Sequence, residues 1–280
     1  MKIALLGNCQ LQQIGWYLKA FFQQQKIEHS IVWYEPIFTL GDKGAPLVPL
    51  FDALSSADRI YGQYHDARWN ALSTESLSKY YSIKLVPTLE SIASFPQLNY
   101  FTEGELYYQL YTVDFRMIDL FLSGVSVEDA PREYSNVVIQ QDELKKVIEE
   151  TAEKCRAKFI SGQVVFDYSA EYLQAMEQEA IPYYVHNHPS NRQLQWLANQ
   201  ILADIGCTLV NFSNLPVILF DTCVPALDGK YNDHYRIRNT EIGLSTAAKV
   251  NYVLCSSYEK SFLEKQLELS VYRRLCKAHV

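Results

Sequence analysis

Lys2-Ile3-Ala4-Leu5-Leu6-Gly7-Asn8-Cys9-Gln10 is the stretch from which the fold can be read. Lys2 to Leu6 is a short apolar run of the kind a buried strand presents, Gly7 ends it, and Leu11, Ile14, Leu18, Phe21 and Phe22 then recur at helical spacing. The order is strand, tight turn, helix. Working outward, His29 to Tyr34 reads as a second strand and Leu47 to Ser56 as a helix opened by the Pro46/Pro49 region. Arg59 to Tyr61 and Ile83 to Val86 read as further strands, the last stopped by Pro87. Strand and helix signals therefore alternate. That predicts an α/β fold with a parallel sheet covered by helices, in which ligands sit at the carboxyl ends of the strands.

Helices dominate further on. Phe95 to Gly104 is an aromatic stretch broken by Pro and Gly, a candidate cleft wall. Val113, Met117, Leu120 and Phe121 then form one apolar helix face before Gly124, and Leu144, Ile148, Cys155 and Phe159 form another. Tyr183 to Val185 returns to strand and leads through His186-Asn187-His188-Pro189-Ser190 into a helix carrying Leu194, Leu197, Ile201 and Ile205, capped by Gly206. After Cys207 the pattern weakens to a strand candidate at Val217 to Phe220, and a closing helix is expected over Ser261 to Cys276. The expected organisation is an α/β catalytic core over residues 1–206, with a helical insertion around 105–180, and a C-terminal extension over 207–280 packed on the core.

Composition narrows the partners. Across 280 residues, 25 Lys and Arg stand against 32 Asp and Glu, a net charge of −7 that opposes broad attraction to nucleic acid. The sequence shows no secretory signal pattern and no apolar run of transmembrane length. Its six cysteines contain no Cys-x-x-Cys pair, so neither a metal site nor a disulfide framework is expected, and a reducing cytoplasm is the simplest compartment. The 20 tyrosines fit clefts that stack sugars or an adenine ring and fit core filling equally well. Glycine-rich phosphate loops, the Gly-x-Ser-x-Gly elbow and the His-Glu-x-x-His helix do not occur.

Cys9 is the candidate nucleophile. A cysteine at a helix start lies among unpaired backbone N–H groups and the positive end of the dipole, which favour the thiolate and can hold an oxyanion. The plain alternative makes Cys9 a small buried residue and Asn8 an ordinary N-cap. His188 stands at the second strand-to-helix turn, where a general base can reach Cys9 across the top of the sheet, or where it merely ends a strand. His186 is not expected to converge on the same point. Pro189 biases His188 toward extended backbone, and Ser190 is placed to help cap the helix. Gln63-Tyr64-His65-Asp66-Ala67-Arg68 forms a third polar corner. There Gln63 is a candidate oxyanion donor, His65 an acid/base or sugar contact and Arg68 a phosphate contact; the same residues also read as a surface loop with an Asp66/Arg68 pair.

KIALLGNCQ, RIYGQYHDAR, VDFRMIDLFLSGVSVEDA and HNHPSNRQLQWLANQIL, taken in order, resemble the WcbI-type family of polysaccharide biosynthesis, over roughly Met1 to Gly206. The resemblance implies coenzyme A as cofactor and transfer of an acyl group, acetyl above all, to a sugar hydroxyl in bacterial capsule synthesis. It carries Cys9, Gln10, Gln63 and His188 over as catalytic candidates. Gly7 and Asn8 at the turn, with Arg68, Arg116 and Arg192, are the candidate coenzyme A contacts. The opening motif also looks like a cysteine version of the nucleophile corner of SGNH-type hydrolases, an analogy at the level of the fold. Two rival functions follow: an esterase or thioesterase using the same Cys/His corner, and a non-catalytic coenzyme A- or sugar-binding protein in which Cys9 is structural.

Overall fold

The structure, a computed structural model, describes residues 1–280 apart from 42–46, 100, 102–112, 135, 180–181, 186, 209–239 and 279–280. His186 and the strand candidate at Val217 to Phe220 lie outside the described residues, as do residues 100 and 102–104 of the aromatic stretch. The chain divides into two compact units. One comprises Met1–Leu89, Thr151–Glu177 and His188–Phe220, the other Glu90–Glu150, Gln178–Asn187 and Asp221–Val280.

The α/β fold expected from the alternating pattern is present in the first unit. β1 (Lys2–Leu6) lies between β2 (Ser30–Trp33) and β3 (Arg59–Gly62), and β4 (Ile83–Leu85) flanks β3, all pairings parallel. Parallel strands need crossover connections, and these are right-handed. The chain leaves β1 through α1 (Cys9–Gln25) to reach β2 on one side, then passes through α2 (Val48–Ser56) to reach β3 on the other. The two helices therefore cover opposite faces of the sheet. Ala4, Leu6 and Ile60 pack with Leu50 and Leu54 of α2, while Ile3, Leu5 and Tyr61, which alternate with them, are buried on the other face. On α1, Leu11, Ile14 and Leu18 are buried, and the helix packs against the Asn191–Asp204 helix, whose Leu194, Leu197 and Ile201 are also buried.

The strand order reverses between β1 and β3. In open parallel sheets this switch point leaves a crevice beyond the carboxyl ends of the two strands, because their connections depart in opposite directions. The register sets Leu6 beside Gly62, so the next residues, Gly7 and Gln63, flank that crevice.

In the second unit, the Phe115–Leu122 helix packs with the Thr240–Ser256 helix around Met117, Leu120, Ala130, Tyr134 and Ala248. The closing helix differs from expectation. It spans Lys260–Leu269, breaks at extended Ser270, resumes over Val271–Leu275 and ends as a strand, Cys276–Ala278, antiparallel to Val137–Ile139. The Ser270 side chain accepts the Arg273 backbone N–H, so an N-cap restarts the helix where a continuous periodicity conceals a break. Among the described residues no helix is long and apolar enough to cross a membrane.

Candidate active site

The turn after β1 is built around Gly7. A Cβ there would lie 2.5 Å from Gln63 Oε1 and 2.7 Å from Leu11 Cδ1, so a bare backbone is what lets the Gln63 amide approach. Asn8 takes the N-cap position, its side-chain oxygen accepting the Gln10 N–H at 2.9 Å. The Asn8 N–H in turn donates to Gln63 Oε1 at 2.9 Å. Gln63 Nε2 donates to Gln10 Oε1 at 2.9 Å, while Gln10 Nε2 donates to the Leu89 carbonyl at 2.7 Å and its Oε1 accepts the Leu89 N–H at 3.0 Å. Gln10 and Gln63 are thus committed to a buried relay that ties the turn after β1, the end of β3 and Leu89 together. The sequence suggests oxyanion donors at these positions; the hydrogen bonds make them the frame that fixes the Cys9 backbone.

Cys9, the first residue of α1, is partly buried, and its Sγ lies 3.6 Å from His188 Nε2. Burial pushes the thiol above its ordinary value, and the backbone N–H groups of Cys9 and Gln10 pull it back only in part. The helix start alone does not win against desolvation here, so a thiolate depends on a nearby proton acceptor, and the imidazole supplies one. His188 and Pro189 are extended, as Pro189 requires of its predecessor, and the Asn191–Asp204 helix starts immediately after Ser190. Ser190 occupies the N-cap position without a side-chain cap bond; its Oγ accepts instead from Gln193 Nε2 at 3.5 Å.

His65 is buried against the edge of Trp69, and its backbone is pinned on both sides by Thr74. Burial lowers its pKa to about 4, with the Asp66 carboxylate pulling weakly the other way. It is therefore a neutral imidazole near pH 7.

A model of the family described as the polysaccharide biosynthesis enzyme WcbI matches residues 2–209. The chain belongs to the WcbI family. A solved WcbI structure, described as that of a novel polysaccharide biosynthesis enzyme and as the native protein without a disulfide bond between coenzyme A and one of its cysteines, is 14% identical. It aligns over 95% of this chain and 98% of its own with a TM-score of 0.61, which at that identity shows a shared fold. No curated protein sequence matches the chain.

In this member of the WcbI family the three arginines read as coenzyme A contacts have different surroundings. Arg68 forms a bidentate pair with Asp66 at the rim of the β3 corner, and its side chain is 37% exposed. Arg192, 40% exposed, lies 3.4 Å from Glu171 Oε1. Arg116 is instead a buried member of the second unit. It donates to the carbonyls of Tyr134, Glu133 and Asn136, to Asp119 Oδ2 and to the Tyr272 hydroxyl, which accounts for all five guanidinium N–H groups. The sequence offers no signal separating this structural arginine from a phosphate-binding one. Sequence reading also passed over Gln13 and Tyr17, although their positions four and eight residues beyond Cys9 put them on its helix face.

Proposed function

We propose that this chain is a coenzyme A-dependent acyltransferase that moves an acetyl or similar acyl group onto a sugar hydroxyl in the synthesis of a capsular or other surface polysaccharide, working in the cytoplasm. The observation that carries the proposal is the 3.6 Å approach of Cys9 Sγ and His188 Nε2 at the carboxyl end of β1, beside the strand-order switch. Membership of a polysaccharide biosynthesis family supports it. So does the solved WcbI protein, whose description pairs coenzyme A with a cysteine.

The residues present suit such a donor. A thiol beside an imidazole is chemically matched to a thioester, and Arg68 and Arg192 are half-exposed cations able to exchange a carboxylate for a phosphate. Acyl-coenzyme A supplies an activated acyl carbon with a thiolate leaving group. Cys9 transfers its proton to His188 Nε2 and takes the acyl group on Sγ; His188 returns that proton to the departing thiolate. His188 then accepts the proton of the sugar hydroxyl as its oxygen attacks S-acyl-Cys9, and gives it to Cys9 Sγ as the ester forms. The N–H groups at the start of α1 that the Asn8 cap leaves open are the donors for the developing oxyanion.

The test is a thermal-shift titration of the full chain with coenzyme A and acetyl-coenzyme A, paired with acetyl transfer to sugar acceptors by wild type and Cys9→Ala. Saturable stabilisation, together with turnover lost in a folded Cys9→Ala protein, is the expected result. Absence of binding to either nucleotide overturns the acyltransferase reading, and undiminished transfer by Cys9→Ala overturns the nucleophile.

A further inference from the structure

Gln13 lies one turn beyond Cys9 on α1 and is 1% exposed, yet neither its Oε1 nor its Nε2 has a hydrogen-bond partner among the described residues. An amide buried in that way costs about 1–3 kcal/mol, so the position holds a polar group where a Leu or Met would stabilise the fold. Residues kept at the expense of stability concentrate at functional sites.

Two contacts locate the carboxamide. Cys9, Gln13 and Tyr17 recur every four residues and line one face of the helix. At one end of that row Cys9 Sγ meets His188 Nε2 at 3.6 Å; at the other the Tyr17 hydroxyl donates to Asn191 Oδ1 at 3.1 Å. The helix rises about 12 Å from Cys9 to Tyr17, and the largely extended chain from His188 to Asn191 spans about 10 Å. The His188–Asn191 segment therefore runs along this face, with Gln13 beneath its middle. The neighbouring amides are already committed, Gln10 and Gln63 to their relay and Asn8 to the cap.

We propose that Gln13 is the positioning residue of the Cys9–His188 pair, its Oε1 accepting the His188 Nδ1–H while His188 Nε2 takes the proton from Cys9 Sγ. This deepens the proposed function and rests on the reading of Cys9 and His188 as nucleophile and base. The bond selects the tautomer whose Nε2 lone pair faces the thiol, and it strengthens as the ring becomes imidazolium. No group other than that one proton is transferred.

The test is the pH profile of Cys9 alkylation by iodoacetamide in the full chain, with Cys9→Ala as the background for the other cysteines and thermal melting recorded alongside. Gln13→Met, which keeps the shape and removes the acceptor, is expected to melt at or above the wild-type temperature. Its alkylation rate at pH 7 should fall about tenfold, the profile moving about one unit to higher pH. Gln13→Glu places a carboxylate against the imidazolium and is expected to move the profile to lower pH. A folded Gln13→Met protein with the wild-type profile overturns the proposal. Should Gln13→Met fail to fold, an unmoved profile in Gln13→Glu overturns it instead. Alkylation needs no coenzyme A, so failure of the acyltransferase reading leaves this test intact.

Discussion

The carboxamides of Gln10 and Gln63 are hydrogen-bonded to each other at 2.9 Å in the interior of the first unit, each with its other end fixed to backbone. A group spent in this way serves the frame before it serves a ligand. Gln63→Ala deletes two bonds and strands the Asn8 N–H, and is expected to lower the unfolding free energy by about 1–3 kcal/mol in urea titrations. An oxyanion donor would behave differently, lowering turnover while the denaturation midpoint stayed in place. Loss of activity in Gln63→Ala without loss of stability would therefore return Gln63 to the chemistry.

The Cys9 thiol is raised by burial, so on the proposed mechanism its reactivity near neutral pH rests on His188 rather than on the helix start. His188→Ala is expected to move the pH profile of Cys9 alkylation to higher pH, as the remaining environment disfavours the thiolate. Acyl transfer should drop roughly 10²- to 10⁴-fold, the usual weight of a positioned general base. If the helix dipole governed the thiol, the alkylation profile would be unchanged by this substitution.

The sheet was legible because β1 is buried on both faces and so carries an unbroken apolar run, and because α1 and the Asn191–Asp204 helix each bury a stripe with clear periodicity. The Cys9 and His188 corners could be found because strand-to-helix junctions leave a local signature in Gly7, Asn8 and Pro189. What could not be read was how the polar side chains are committed. Gln10, Gln63 and Arg116 look like ligand-binding groups in sequence, and apart from Asp119, three residues beyond Arg116, the partners named for them lie 17 to 156 residues away along the chain. Gln13 was invisible for the converse reason, since an exposed and a buried glutamine are the same letter. The break at Ser270 depends on a single cap bond inside an otherwise helical pattern.

Acid should weaken the fold through His65. Its folded-state pKa is held near 4 against 6.5 in the free side chain, chiefly by burial. The folded form therefore binds fewer protons than the unfolded one across this interval. The contribution is fully present above pH 6.5 and is lost as pH falls through 4, by about 3 kcal/mol. Buried Asp114, raised to about 6 mainly by desolvation, works in the opposite sense over much of the same range. The difference between wild type and His65→Phe therefore isolates the effect. The urea midpoint of the variant should rise relative to that of wild type as pH falls from 7 to 4, and identical acid limbs would place the titration elsewhere.

The arginines separate by role. Arg116→Ala removes one partner of partly buried Asp119 and the guanidinium donors of three carbonyls, and is expected to cost about 3–5 kcal/mol, seen as a much lowered melting temperature. Arg68→Ala and Arg192→Ala break pairs that are more than a third exposed on the arginine side, so their stability cost should lie within about 1 kcal/mol. Calorimetry with coenzyme A should show weaker binding in either variant that touches phosphate, and unchanged affinity in both would move the phosphate site to other residues.

Gly7→Ala tests the frame with a single methyl group. The added Cβ would meet Gln63 Oε1 at 2.5 Å and Leu11 Cδ1 at 2.7 Å, and neither neighbour gives way cheaply: Oε1 is held by the Asn8 N–H, and Leu11 is fully buried. The expected cost is about 1–3 kcal/mol from overpacking. The more specific consequence is that Gln63 must release Asn8, which loosens the N-cap turn carrying Cys9. Combined with Gln63→Ala, the Gly7 methyl should cost much less than it does alone, because the clash with Oε1 is gone. A double-mutant cycle in urea with strictly additive costs would mean that Gly7 and Gln63 are not coupled, and that the turn is fixed by Leu11 instead.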